Sequence, residues 1–272
     1  YVDYAHWQRN WLQGQVLQEQ LQYWKGQLEG APPVHGLPLD RPRPARQSFA
    51  GASHAQWLDA GLMQKIRGVC QEQQVTLFMF LQTALSVFIA RYSNECDVLM
   101  STAIAGRRHS DLEGLIGIFV NDLILRTRLS FDQTFEQVLR ENRAMILDAY
   151  AHQDAPFEML LEGLRPERSL THAAVVQIKL DLQNNEVSTP ELVGLRLEGL
   201  SGGVGLMEKD LYLSASEVGE VLWINWQYNT DIFEAQTIER WAQSFAQLLQ
   251  GWVEEPGRCV GSAPLLSAHQ QQ

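Results

Sequence analysis

His109 stands two residues before Asp111, and His152 two residues before Asp154. An imidazole beside a carboxylate is the pairing that moves protons in general acid–base catalysis. Sequence spacing alone does not set either histidine against a nucleophile, and the chain has no Gly-x-Ser-x-Gly elbow and no cysteine in a nucleophile setting. Each pair is therefore read as a solvated or structural loop feature. Gly202-Gly203-Val204-Gly205 has the small residues of a phosphate cradle, but no Lys-Ser/Thr follows and no helix opens there, as a nucleotide fingerprint requires. Cys70, Cys96 and Cys259 are widely spaced and form no Cys/His cluster, so neither a zinc site nor a disulfide scaffold is expected, and no metal. One polar residue stands out for its surroundings. Asn121 interrupts an apolar run over residues 116–126, and an uncompensated buried amide costs roughly 1–3 kcal/mol, so it needs partners.

The elements that carry these residues follow from periodicity. Residues 1–29 read as helical, with an apolar stripe of Leu17, Leu21, Trp24 and Leu28 and a break at Gly14. The tryptophans of the first and last helices have the spacing of core packing rather than of an aromatic box. Five prolines in residues 30–44 require an extended connector. A strand over 49–58, a helix over 60–73 and a long apolar helix from a Thr76 cap to about Ala90 follow. Then come a strand over 97–105, a polar loop over 106–114, and a core strand buried on both faces over 116–129. A helix over 134–150 leads to the loop of residues 152–158. Pro156 suits the first turn of a short helix over 157–164, with Asp154 and Glu158 favouring its start. Strands over 174–182, 210–216 and 221–228 precede a last amphipathic helix with Ile238, Trp241, Phe245, Leu248 and Trp252 on one face; residues 192–200 alternate as a hairpin arm does, with a glycine turn after them. The expected architecture is α/β: two layers, a mixed sheet covered by helices.

The 272 residues and 45% hydrophobic content suit a folded core, and the formal charge of −11 without a basic run argues against nucleic-acid binding. No apolar run nears the roughly 20 residues of a membrane span, and residues 1–30 lack a signal-peptide pattern. A cytoplasmic protein, with no membrane partner, is expected. The chain opens on Tyr1 without an initiator methionine and reads as a fragment or processed piece.

Four segments, in order, resemble motifs of the second half of a condensation domain of nonribosomal peptide synthetases. Tyr1-Val2-Asp3-Tyr4-Ala5-His6-Trp7 is similar to the family's Tyr-x-Asp-Phe/Tyr-Ala-x-Trp. Leu37-Pro38-Leu39-Asp40-Arg41-Pro42-Arg43-Pro44 resembles its proline-rich connector. Ile116-Gly117-Ile118-Phe119-Val120-Asn121 matches Ile/Val-Gly-x-Phe-Val-Asn, with Asp122 where threonine is usual. His152-Gln153-Asp154-Ala155-Pro156-Phe157-Glu158 matches His/Asn-Gln-Asp-x-Pro-Phe-Glu. A last motif, Arg-Asp-x-Ser-Arg-x-Pro-Leu-Phe-Gln, survives only in Arg168 and Gln177. The structural positions implied are Asp3, Trp7, Gly117, Phe119, Pro156, Phe157, Glu158, Arg168 and Gln177.

The resemblance implies a chloramphenicol-acetyltransferase-like half-domain, the C-terminal lobe over residues 1–255, with a linker towards an adenylation domain over 256–272. The family's His-His-x-x-x-Asp-Gly motif does not occur, so no catalytic residue is expected in this chain and the lobe alone is expected to be inactive. The family joins amino acids in secondary metabolism, in antibiotic or siderophore biosynthesis. An amine on an acceptor carrier protein attacks a thioester on a donor carrier protein, each substrate riding a phosphopantetheine arm, and no cofactor is bound directly. The implied partners are the donor and acceptor peptidyl carrier proteins, the N-terminal lobe and the adenylation domain. By position, Ser101 to Arg107 and the loop to Gly114 are assigned to the tunnel floor, residues 183–205 to a latch onto the other lobe, and Arg107, Asn121, Gln153 and Asp154 to shaping the site. Two alternatives stand beside this: a non-catalytic recruitment module of the same fold, and an epimerisation domain, whose Glu-Gly-His-Gly-Arg-Glu motif Glu162-Gly163-Leu164-Arg165 resembles faintly.

Overall fold

Threonine and aspartate hydroxyls and carboxylates start three of the core helices. Asp59 accepts from Leu62 N–H to open α3 (Ala60–Glu72), and Thr76 accepts from Met79 N–H to open α4 (Leu77–Ser93). Thr134 opens α5 (Phe135–Ala151) with a reciprocal box, Gln137 returning a side-chain bond to the Thr134 N–H. The computed structural model describes residues 1–164, 169–183, 206–263 and 265. Before these helices come α1 (Val2–Trp11) and α2 (Gly14–Leu28), separated near Gly14 as expected; after them come α6 (Phe157–Leu164) and α7 (Ala235–Glu254).

Six strands form one mixed sheet in the order β1-β6-β5-β4-β2-β3: β1 (Gly51–Leu58), β2 (Asp97–Ile104), β3 (Asn121–Arg128), β4 (Ile178–Gln183), β5 (Leu211–Val218) and β6 (Val221–Asn229). The β2–β4 and β4–β5 pairs are parallel and the rest antiparallel. α3, α4, α5 and α7 pack on the sheet, and the apolar stripe of α7, Ile238, Trp241, Phe245, Leu248 and Trp252, is fully buried. α4 is buried over Met79 to Ala90 and lies at the centre. Its polar side chains are satisfied within the core: Gln82 Nε2 donates to Thr127 Oγ1 at 3.0 Å, and Asn142 Nδ2 of α5 donates to Gln82 Oε1 at 2.9 Å.

Neighbouring residues of β3 explain how its middle is buried on both faces. Thr127 faces α4, whereas Arg126 faces the end of α2, donating to Gln27 O at 2.9 Å and Glu29 O at 2.8 Å and to both Asp97 oxygens at 2.8 and 2.6 Å. That arginine satisfies carbonyls that the helix end leaves open. α6 packs on β3 and α2.

Three expectations need correction. The strand expected over residues 116–129 begins only at Asn121, because its partner β2 ends at Ile104, which pairs with Asn121, and among the described residues no strand pairs with residues 116–120. Ile116, Ile118 and Val120 are exposed, and only Phe119 of that run is buried. The strand expected from residue 174 starts at Ile178; ahead of it Val175 adopts a left-handed conformation, φ 67°. Residues 256–263, expected to begin a linker, lie against the domain: Thr134 and Cys259 form a β-bridge, Val260 is buried, and Arg91 donates to Val260 O and Ala263 O at 2.8 and 2.9 Å. Arg168, the glycine turn, nearly all of the latch assigned to residues 183–205 and the last residues of the chain lie outside the described residues. Among the described residues no single helix is long and apolar enough to cross a membrane.

Candidate functional site

A cleft of about 720 Å³ opens between α1, the loop after β2, the start of β3 and the loop before α6. Its apolar wall is Tyr1, Tyr4, Trp7, Ile118, Phe119, Pro156 and Phe157; its polar groups include Arg108, His109, Asn121, Asp122, Gln153, Asp154, Glu158 and Lys179. Three of the four residues assigned to site shaping, Asn121, Gln153 and Asp154, line it directly; Arg107 supports it from behind.

Arg107 braces the loop of residues 106–115 onto itself. Its guanidinium donates to Leu112 O, to Glu113 O at 3.4 Å and to Leu115 O at 2.9 Å, and lies over the Phe119 ring, 4.2 Å from the centroid. The same ring packs on Tyr1 and Tyr4, with centroids 5.2 and 4.7 Å apart. Gly106 turns at φ +65°, and a Cβ there would run into the Phe119 carbonyl oxygen; a Cβ on Gly117 would run into the Tyr1 ring. The two glycines allow the loop and α1 to close on each other.

Asn121 is fully engaged. Its Nδ2 donates to Gln153 O at 3.0 Å and Ala155 O at 2.9 Å, while its Oδ1 accepts from Phe157 N–H at 3.0 Å. It therefore holds the loop before α6 and caps the first N–H of that helix from another strand. It does not orient the loop of residues 106–114, which Arg107 holds. Gln153 Nε2 donates to Tyr150 O at 2.6 Å. Asp154 binds Arg108, whose Nη1 donates to both carboxylate oxygens at 2.9 and 2.8 Å, so the two loops are bridged across the cleft edge. His152 takes no part in a relay with Asp154: its Nδ1–H donates to Asp148 O at 2.8 Å and its ring stacks on Tyr23, 3.9 Å between centroids and 6° between planes.

The other motif positions also make contacts that hold the fold, several of them from the cleft wall. Pro156 precedes α6, whose first residue is Phe157, and its carbonyl accepts from Met159 N–H at 3.0 Å; Glu158 lies in the first turn. Asp3 lies in the first turn of α1, favourable to the helix dipole, and Trp7 stacks on Trp11 at 5.3 Å. Gln177 ties the proline-rich connector to the sheet: its Nε2 donates to Pro33 O at 3.0 Å and Ala173 O at 2.9 Å, and its Oε1 accepts from His35 N–H at 3.3 Å.

Motif and spacing do not single out Arg108 and Lys179, which also line the cleft. Lys179 and Asp181 are alternate polar residues in the apolar strand Ile178-Lys179-Leu180-Asp181-Leu182, the one signal that could have placed both on an open sheet face. Lys179 Nζ donates to Asp122 Oδ1 at 3.2 Å and lies 3.6 Å from Asp181. Asp181 in turn accepts from Ala103 N–H at 2.8 Å and from the Tyr212 hydroxyl at 2.9 Å. Burial first, and the Asp181 charge second, push the Tyr212 phenol well above its ordinary value, so it stays a donor. The Tyr4 phenol on the cleft wall is also raised, by burial first and by Asp154 second. Among the described residues no three His, Cys, Asp or Glu side chains converge as metal ligands.

This fold and cleft define a chloramphenicol-acetyltransferase-like half-domain. The sequence model described as "Condensation domain" matches residues 1–272, and the chain belongs to that family, as found in nonribosomal peptide synthetases. One of the linear gramicidin synthase subunits of Brevibacillus parabrevis is 42% identical over 274 residues, 100% of this chain and 5% of that protein. The chain thus spans about one-twentieth of the length of these curated relatives. Among solved structures, the X-domain from teicoplanin biosynthesis, in complex with OxyB, superposes with a TM-score of 0.89 at 28% identity over 97% of this chain and 60% of that chain. A four-domain nonribosomal peptide synthetase, holo-AB3403 bound to AMP and glycine, superposes at 0.85 with 26% identity, over 93% of this chain and 20% of that one.

Proposed function

We propose that this chain is the C-terminal lobe of a peptide-bond-forming condensation domain. In it, the amine of an amino acid on an acceptor carrier protein attacks the thioester of a donor carrier protein, and the donor's thiol leaves. The cleft is the observation that carries the reading: an aromatic wall and a polar floor held open by Asn121 and Arg107 suit a linear acyl chain and its flexible arm. Confining both carrier-bound ends replaces a bimolecular encounter, a gain of up to about 7–11 kcal/mol in well-oriented systems. The chain has no double-histidine motif, and the histidine that positions the amine or stabilises the tetrahedral intermediate comes from the N-terminal lobe. Both substrates arrive on phosphopantetheine arms and no other cofactor is needed; the chain continues towards an adenylation domain in the cytoplasm. The test is a condensation assay on the synthetase that contains this chain, with loaded donor and acceptor carriers. Carrier-bound dipeptide is expected, its loss on substitution of the double histidine is expected, and robust turnover by residues 1–272 alone rejects the divided site.

One observation favours a second reading. The X-domain neighbour was solved in a complex with OxyB, so a recruitment role fits the same fold. Under that reading the synthetase yields no dipeptide and its lobe binds another protein instead.

A further inference from the structure

Asp122 stands where the resemblance has threonine, and it is ion-paired in the cleft. Asp122 on β3 and Lys179 on β4 flank β2, whose intervening Ser101 and Ala103 have short side chains, and both residues line the cavity. The Lys179 ammonium directs one N–H to Asp122 Oδ1 at 3.2 Å and lies 3.6 Å from Asp181, which leaves a third N–H uncommitted. Among the described residues Asp122 Oδ2 has no partner. The cleft floor thus offers a hydrogen-bond acceptor and a donor side by side. A free carboxylate placed there would face Asp122 and Asp181, and a free ammonium would face Lys179. A neutral ligand with a donor and an acceptor on one edge satisfies both. An amino-acid residue in extended conformation has that edge, because its own N–H and C=O point the same way, as in a hydrogen-bonded pair of an antiparallel sheet.

We propose that Asp122 and Lys179 position a carrier-bound aminoacyl group in extended form, Asp122 accepting from its α-N–H and Lys179 donating to its acyl oxygen. The inference rests on the condensation reading and deepens it: the donor and the acceptor both contain this unit, and Lys179 would polarise the acyl carbonyl of the donor.

The test measures binding of carrier proteins to the whole synthetase by titration calorimetry. The carriers are loaded through a stable amide in place of the thioester, in a donor arm and an acceptor arm. In each arm the α-nitrogen is present or replaced by oxygen without a hydrogen. Loss of the N–H is expected to weaken wild-type binding about 10- to 100-fold in one arm, which identifies the substrate held, as for a hydrogen bond to a charged group. In D122T, which restores the family's usual residue and exchanges a charged acceptor for a neutral hydroxyl, the same replacement should weaken binding by no more than about a few-fold. K179M should likewise erase the effect of replacing the acyl carbonyl by a methylene. Wild-type indifference in both arms overturns the proposal, and so does an undiminished loss in D122T, with circular dichroism confirming that each variant is folded. Turnover is measured in parallel. Absence of dipeptide with intact N–H-dependent binding rejects the condensation reading and leaves the contact standing.

Discussion

Asn121, the first residue of β3, and Phe157, the first residue of α6, are joined by a 3.0 Å hydrogen bond from the Phe157 N–H to the Asn121 side-chain oxygen. The same amide closes on Gln153 O and Ala155 O, so one side chain sets the geometry of the whole turn before the helix. Asn121→Ala leaves one N–H and two carbonyls without these bonds and is expected to cost about 2–3 kcal/mol, with turnover per folded synthetase unchanged. Asn121→Asp keeps the acceptor for Phe157 but sets a carboxylate against two carbonyls, so it should destabilise at least as much. Urea denaturation of each variant beside a condensation assay checks both; lost turnover in a fully stable Asn121→Ala protein gives the amide a role in the chemistry.

Arg108 and Asp154 bridge the two loops that flank the cleft, but the arginine side chain is 53% exposed and the carboxylate 17%. A pair so placed is worth about 0.2–1 kcal/mol despite its two-oxygen geometry. A double-mutant cycle of Arg108→Ala and Asp154→Asn should return a coupling in that range at low salt and close to zero in 1 M salt, where screening is over about 3 Å. A coupling that survives high salt shows a desolvated pair.

The connector is fixed by a buried polar cluster whose titration predicts a pH profile. Asp210 is completely buried; burial pushes its carboxyl up, but bonds from His35 Nε2–H at 3.0 Å and Arg43 at 2.6 Å outweigh burial and hold it below its ordinary 3.8. Burial first, and Arg43 second, also hold His172 below its ordinary 6.5. Both values are depressed on folding, so the unfolded chain takes up protons first and each contribution is lost as pH falls. The contribution of these two groups should be level above pH 7, decline as pH falls below about 6.5, and decline again below about 3.8. His172→Gln should flatten the first step and Asp210→Asn the second, the latter at a cost of about 3–5 kcal/mol near neutrality from the abandoned arginine. Denaturation midpoints across pH check the profile; a gain in stability between pH 6.5 and pH 5 contradicts the sign for His172.

Much of this architecture is legible in the sequence because its signals are local. Thr76 before an apolar run, Pro156 ahead of Phe157, and the spacing of Ile238, Trp241, Phe245, Leu248 and Trp252 each specify an element through nearest-turn physics, and each element forms as those signals require. The segment from Ile116 to Val120 shows where that logic stops. Its composition is that of a strand, yet a strand needs a neighbour, and the length of β2 is not written in residues 116–120. The cleft is harder still. Arg108 meets Asp154 across 46 positions and Lys179 meets Asp122 across 57, contacts that depend on sheet order rather than on sequence spacing.

Gly106 is where the backbone itself shapes the site. It combines a left-handed φ of +65° with a position where any Cβ would enter the Phe119 carbonyl oxygen, and Phe119 is the ring on which Arg107, Tyr1 and Tyr4 converge. Gly106→Ala must accept the left-handed penalty of about 1–2 kcal/mol and also displace Phe119, for a total of about 2–4 kcal/mol. Gly30 has the same φ of +65°, and a methyl group added there would meet no heavy atom within 4 Å, so Gly30→Ala isolates the backbone penalty alone. Thermal denaturation of the two variants should separate them by about 1–2 kcal/mol, with the excess at Gly106 accompanied by altered near-ultraviolet circular dichroism as the ring cluster around Phe119 loosens. Equal costs at the two glycines would show that Phe119 moves aside freely and that the wall of the cleft is not held by this contact.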